Sequence, residues 1–180
     1  IGAGHLGKIH IRLLKEIQEF ELVGFFDADS KNAEQIATEF DISAFNSASE
    51  LIAKCDAIDV VTPTESHFEY AKLALENNKH LFIEKPITAT IQQAKELLVF
   101  SEGKQSKIQV GHVERFNPAF IAVKDKCNNP MFIEAHRLAE FNPRGTDVPV
   151  VHDLMIHDMD IILKIVDSKV KQINGRGVSI

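Results

Sequence analysis

Apolar positions along this chain change rhythm at short, regular intervals. Leu6, Ile9, Leu13, Leu14, Ile17 and Phe20 recur at helical spacing, and Leu22 to Phe26 follows as a short apolar run closed by Asp27. The pattern predicts a helix and then a buried strand. Ser30 is the expected N-cap of a second helix carrying Ala33, Ile36, Ala37 and Phe40, with a brief strand around Ala44 and Phe45. The alternation continues with a short helix from Ser49, the strand AIDVVTP, a helix through Tyr70, Leu73 and Ala74, and the strand HLFIEKP. A helix through Ala94, Leu97 and Leu98 and the strand KIQVGH complete it. With the opening residues counted as a strand, six strands alternate with helices.

Parallel neighbours need such crossovers, and right-handed crossovers on both faces give a doubly wound α/β sheet that binds ligands at the carboxyl ends of its strands. Polar residues directly after strands are therefore expected on the binding rim. They are the turn Gly2 to Gly7, which includes His5 and Leu6, then Asp27, then Thr62, Pro63 and Thr64, then Glu84, Lys85 and Pro86, and finally Gly111 to Pro118.

After Gly111 the rhythm changes. Asn117 reads as an N-cap with Pro118 at the first helical position, and MFIEAHRL reads as a strand of a new type. A second domain is expected to begin near Phe116, which divides the chain into 1–115 and 116–180. It continues through a polar loop with Pro143, Gly145 and Pro149, a helix from about Val150 to Val166, and a last strand VKQINGRGVSI that has no partner. This second domain reads as incomplete. Ile1, set directly against a glycine turn, likewise leads us to expect a shortened amino end.

Composition excludes some function classes. Of the 180 residues 44% are hydrophobic and 26% charged, as in an ordinary globular protein. A formal charge of -6, with no basic run, argues against a nucleic-acid partner. Cys55 and Cys127, the two cysteines, form no CxxC pair, so neither a disulfide framework nor a thiolate metal site is expected, and a reducing cytoplasm is the expected location. No apolar stretch approaches the ~18 residues of a membrane span.

Gly2, Gly4 and Gly7 fit GxGxxG, and the surrounding pattern gives each a task. The first permits a tight turn, the second lets backbone approach a pyrophosphate, and the third lets the helix pack on the sheet. Asp27 ends the second strand twenty residues beyond Gly7, where a carboxylate accepts hydrogen bonds from an adenosine ribose. A 2′-phosphate would meet Asp27 and Asp29 with no arginine nearby, so NAD is expected rather than NADP. A methyltransferase is the competing reading of these residues.

Two groups further along suit hydroxyl chemistry. Lys85 precedes Pro86, which biases it to an extended conformation on the nicotinamide half of the rim. Asp153 and His157 lie four apart on one helical face, so the carboxylate can hold one imidazole nitrogen and leave the other for substrate. His152 and His157 diverge by about 140° around a helix, so a metal site built from His152, His157 and Asp158 is not expected. Capping or surface solvation accounts for His152, Asp158 and Asp160.

IGAGHLG, VVTPTESHFEYAKLALENNKHLFIEKP, VGHVERFNPAF and DLMIHDMD, in this order, resemble the glucose-fructose oxidoreductase, inositol dehydrogenase and rhizopine-catabolism (Gfo/Idh/MocA) family. The resemblance implies an NAD(P)-dependent Rossmann domain followed by an α/β domain with a mostly antiparallel sheet that carries substrate residues and mediates a homo-oligomer, dimer or tetramer. It implies that Lys85 contacts nicotinamide ribose and substrate, that the Lys85–Pro86 bond is commonly cis, that His157 is the acid/base, and that Asp153 is its partner. Thr62, Pro63 and His67 match the loop over the nicotinamide, and Arg115 and Asn117 the passage between domains. The implied activity is hydride transfer between nicotinamide and a secondary hydroxyl of a sugar, cyclitol or nucleotide sugar. The alternative is a non-catalytic NAD sensor or scaffold. VPVVH stands where glycines often precede the DxxxH aspartate.

Overall fold

The computed structural model describes residues 1–127, 129–138 and 149–178. Contacts divide the chain into two compact units, Ile1–Gly111 and His112–Ile180. In chain order the first unit comprises α1 (His5–Glu16), α2 (Ser30–Phe40), α3 (Ala48–Lys54), β1 (Ala57–Val60), α4 (Thr64–Glu76), β2 (His80–Ile83), α5 (Ile91–Ser101) and β3 (Ile108–Val110).

Strands β1, β2 and β3 pair in parallel, with Ala57 opposite His80 and Leu81 opposite Ile108. On the other side of β1 the opening residues join the sheet. Val61 N–H donates to the Ile1 carbonyl and Gly2 N–H to the Phe26 carbonyl, each at 2.8 Å. Phe25 in turn bridges Ala44 in parallel, and Phe45 N–H donates to the Phe25 carbonyl at 2.8 Å. Across the sheet the expected strands therefore stand in the order third, second, first, fourth, fifth, sixth. All six segments are present, yet only the last three form ladders. The run Leu22 to Phe26 is interrupted by Gly24 and pairs with Ala44 at Phe25 alone, as an isolated bridge.

Local signals set the helix starts. Asp29, not the expected Ser30, caps α2, because its carboxylate accepts the N–H groups of Lys31 and Asn32. Ser47 caps α3 through Glu50 N–H, and Thr90 and Gln93 close a reciprocal capping box on α5. The two sheet faces are packed separately. Ile58, Val60, Leu81 and Ile83 lie against Leu51, Ile52, Ala71, Ala74, Leu75 and Leu97, while Ala3 and Phe25 lie against Ile11, Ala33 and Ile36. Truncating a fully buried member such as Leu75 or Leu97 to alanine would cost about 2–5 kcal/mol.

In the second unit a 3-10 turn, Val113–Phe116, leads into α6 (Pro118–Val123), where Asn117 accepts Ala119 N–H at 3.0 Å and Pro118 opens the helix as expected. The expected long helix is present but begins as a π-helical turn, Val151–Met155, in which Ile156 N–H reaches back to the Val151 carbonyl. It continues as α7 (Ile156–Ile165). Neither MFIEAHRL nor the described part of VKQINGRGVSI forms a ladder. A strand exists through its neighbours' hydrogen bonds, and no described segment supplies them. Pro143 and Gly145 of the expected loop lie outside the described residues.

Candidate active site

The glycine turn is built as its spacing requires. Gly2 has φ +88°, and a Cβ there would stand 2.8 Å from Thr62 N. At Gly7 a Cβ would lie 2.2 Å from the Gly2 carbonyl oxygen, so helix and turn fit together only without a side chain. At Gly4 a Cβ would meet nothing within 4 Å. That open glycine is the N-cap of α1 and offers no side-chain acceptor to the first helical amides, and the first turn holds no acidic residue. His5 and Leu6 are exposed beside it. An uncovered positive helix end next to an open glycine fits a diphosphate.

Asp27 stands next to this turn. Its Oδ2 accepts Ala3 N–H at 2.7 Å and Asn32 Nδ2 at 3.0 Å, and its Oδ1 accepts Asp29 N–H at 2.9 Å. A carboxylate has about four acceptor positions, so three internal bonds leave capacity for a ribose hydroxyl. Asn32 also donates to the Ala3 carbonyl at 3.2 Å, bracing turn and acid together. Asn32 carries no motif, and the sequence reading missed it.

The rim loops after β1 and β2 are joined from below by His67. This α4 residue is 1% exposed, with Nδ1 2.9 Å from the Pro86 carbonyl oxygen and Nε2 2.8 Å from the Thr62 carbonyl oxygen. Both ring nitrogens are thus occupied by backbone, and His67 acts on the rim by holding its loops rather than by facing a ligand. Pro63 is exposed, Thr62 and Thr64 are half-buried, and Pro86 is buried. The Lys85–Pro86 peptide bond is cis.

Glu84 turns its carboxylate inward. It is 6% exposed, and its Oε2 accepts Lys85 N–H at 3.1 Å. Its Oε1 lies 3.4 Å from His10 Nε2, while His10 Nδ1 is 2.9 Å from Asp59 Oδ2 on β1. Hydrogen bonds to Asp59 and then Glu84 outweigh burial and push the His10 imidazole up to about 9. Burial works to raise the Glu84 carboxyl, but the hydrogen bonds from His10 and from the Lys85 amide leave it below its ordinary value. His10 was not singled out from sequence, because its partners are remote along the chain.

The second unit holds the remaining candidates. Asp153 lies in the π-helical turn and His157 in the first turn of α7, both half-buried. Arg115 grips Asp160 with Nε at 2.6 Å and Nη2 at 2.5 Å, and His112 Nε2 stands 3.8 Å from the same carboxylate. The hydrogen bonds to Asp160 raise the Arg115 guanidinium. Asp158 receives Arg137 Nε at 2.7 Å and Nη2 at 2.8 Å, which lowers its carboxyl. Surface solvation is therefore the wrong account of Asp158 and Asp160, each of which takes a bidentate arginine. Among the described residues no cluster of three or more metal-ligating side chains occurs. No described helix is long and apolar enough to cross a membrane.

The model of the Gfo/Idh/MocA oxidoreductase family, described as an NAD-binding Rossmann fold, matches residues 1–112. The chain belongs to this family. Among Gfo/Idh/MocA relatives, UDP-N-acetylglucosamine 3-dehydrogenase of Acidithiobacillus ferrooxidans is 36% identical over 180 residues, 99% of this chain and 57% of the relative. A solved structure of that enzyme superimposes with a TM-score of 0.92 at 34% identity, covering 99% of this chain and 59% of the other. The NAD(+)-dependent scyllo-inositol 2-dehydrogenase of Bacillus subtilis is 27% identical over 98% of this chain and 56% of its own length. Myo-inositol dehydrogenase from Lactobacillus casei, solved with NAD(H) and myo-inositol, gives a TM-score of 0.65 at 30% identity over 69% of this chain and 39% of that one. The chain thus spans somewhat more than half the length of these two curated Gfo/Idh/MocA relatives, the UDP-N-acetylglucosamine and scyllo-inositol dehydrogenases. Its first unit is the family's NAD-binding Rossmann fold with a parallel sheet.

Proposed function

We propose that the protein is an NAD-dependent dehydrogenase acting on a secondary hydroxyl of a sugar, cyclitol or nucleotide sugar. The observation that carries this reading is the joining of the rim: His67 bonds to both the Thr62 loop and the Lys85–Pro86 loop, on the same sheet as an open glycine turn and its acid. A protein that merely retained the fold would have no need to hold a lysine loop at that edge.

The dinucleotide, when bound, supplies a nicotinamide that takes hydride from the carbinol carbon. The chain's own residues do the rest. Gly4 and the first amides of α1 receive the diphosphate, with His5 and Leu6 beside it, and Asp27 receives the adenosine ribose. The paired negative charge of Asp27 and Asp29 favours NAD over its 2′-phosphorylated form. Lys85 steadies negative charge as it grows on the substrate oxygen. His157 takes the hydroxyl proton, and Asp153 sets its tautomer and supports its cationic form. Arg115 and Asn117 shape the start of the second domain, for which we propose the family's mostly antiparallel substrate sheet and a homo-oligomeric assembly, with the cytoplasm as its place of work. The likeness to UDP-N-acetylglucosamine 3-dehydrogenase makes a UDP-linked amino sugar the first substrate to try.

The test is to incubate the protein with NAD and UDP-N-acetylglucosamine, myo-inositol or glucose 6-phosphate, following near-ultraviolet absorbance of NADH. Reduction with one of these supports the reading. Tight NADH binding with no turnover of any of them, nor of a wider panel of sugars, would leave the sensor alternative standing and overturn it.

A further inference from the structure

The polar cluster on the α1 face of the sheet is not explained by dinucleotide binding or by hydroxyl chemistry. His10 sits on α1, six residues past the open glycine, with its ring between two acidic side chains from different strands. Asp59 comes from β1 and Glu84 from the end of β2, and the Phe82 ring of β2 meets the imidazole edge-on at a centroid distance of 5.9 Å. These are the two charged groups that hold it. All three side chains are largely withdrawn from water, with 16%, 22% and 8% exposure for His10, Asp59 and Glu84. Asp59 Oδ1 is buried with no hydrogen-bond partner, and the Ile1 amino group, 2.6 Å from the Asp59 carbonyl oxygen, is the other charge near this residue. Two withdrawn carboxylates around one imidazole are tolerable when the ring carries both protons, since only then can each nitrogen donate.

The geometry does more than balance charge. Glu84 Oε1 faces His10 while Oε2 accepts the amide of Lys85, so the position of the carboxylate fixes the backbone of the lysine. Gly111, at the end of β3, clears the space. A Cβ there would lie 2.6 Å from Glu84 Oε1. We propose that His10 is a positioning residue that, as a cation bridging Asp59 and Glu84, fastens the lysine loop to the helix that begins at the dinucleotide turn. This rests on the proposed role of Lys85. The imidazolium persists through neutral pH, its proton being held up to about 9.

The experiment combines histidine and backbone nuclear resonance with kinetics on the intact protein. In the wild type both His10 nitrogens should hold protons at about pH 7, and the Lys85 amide signal should move with the same midpoint, near 9, as the ring. H10N should lower kcat roughly ten-fold or more, as expected for losing a charge-assisted hydrogen bond in the set that positions a reacting group, with NADH affinity changed less than about two-fold. Any alkaline fall in kcat with the wild-type His10 midpoint should be absent from H10N. G111A, which displaces the Glu84 carboxylate and leaves His10 in place, should reproduce the kcat loss. A neutral His10 at about pH 7, a Lys85 amide indifferent to its titration, or H10N and G111A turning over within about two-fold of wild type would each overturn the proposal. If the wild type itself oxidises no sugar, the functional reading fails separately, and the resonance measurements still decide whether His10 governs the Lys85 backbone.

Discussion

Asp27 and Ala3 are hydrogen-bonded, carboxylate to backbone amide, at 2.7 Å. The acid assigned to the adenosine ribose is thus also a brace of the glycine turn, so its substitution should act on cofactor choice and on turn geometry together. Asp27→Ser removes the charge. Affinity for NADH should fall roughly ten-fold or more, since a hydrogen bond to a charged group contributes about 1.5–3 kcal/mol. NADPH should lose less, because the repulsion of its extra phosphate disappears. Fluorescence titration with both dinucleotides measures the ratio, and equal weakening of the two would remove Asp27 from the discrimination.

Gly4 and Gly7 should separate binding from folding. Gly7→Ala pushes a methyl group into the Gly2 carbonyl and should destabilise the first unit by about 1–3 kcal/mol. Gly4→Ala meets open space and should leave the thermal midpoint nearly unchanged while dinucleotide binding collapses. Melting curves with and without NADH distinguish the two, and a Gly4→Ala variant still stabilised by NADH as the wild type is would exclude the turn as the diphosphate seat.

Lys85→Ala should lower kcat on the order of 10² to 10³-fold with dinucleotide affinity largely kept, the pattern of a group that acts as charge develops. His157→Asn should abolish the acid limb of the pH–rate profile for hydroxyl oxidation, because a base acts only in its unprotonated form. Retention of that limb would assign the proton to another group, and unchanged turnover in Lys85→Ala would refute the lysine's role.

His10 also links stability to pH. Its proton is held more tightly folded, up to about 9, than unfolded, at 6.5. The stabilisation is therefore complete below about 6.5 and is lost as pH rises through about 9. Glu84, whose carboxyl is lowered, contributes in the opposite sense and loses its contribution as acid protonates it. Thermal midpoints of wild type should decline through the alkaline window relative to His10→Asn, and parallel curves would show that the histidine carries no such linkage.

The sequence made the glycine turn and Asp27 legible because their tasks are local and their spacing is dictated by one strand, one helix and a second strand. It also showed the succession of the six segments along the chain, while their order across the sheet came from the hydrogen bonds between them. It did not reveal His10, whose partners lie 49 and 74 positions away, nor the pairing of Arg137 with Asp158 and of Arg115 with Asp160, because a charge on a helix looks the same whether solvated or paired. His67 reads as a loop residue in the motif, yet it lies beneath the loops it joins. MFIEAHRL has strand-like side chains, yet among the described residues no segment pairs with it in a ladder.

The π-helical turn at Val151–Met155 gives the second unit a place where one residue can be lost without breaking its helix. A π turn holds one residue more than an α turn, so excising a single residue between Asp153 and His157 would let the helix run on regularly and place the acid three positions before the imidazole, a spacing that still lies on one helical face. Such a one-codon deletion should spare the helix and leave the proposed acid and base as neighbours at a shorter spacing. A lineage could therefore retune this spacing in one genetic step.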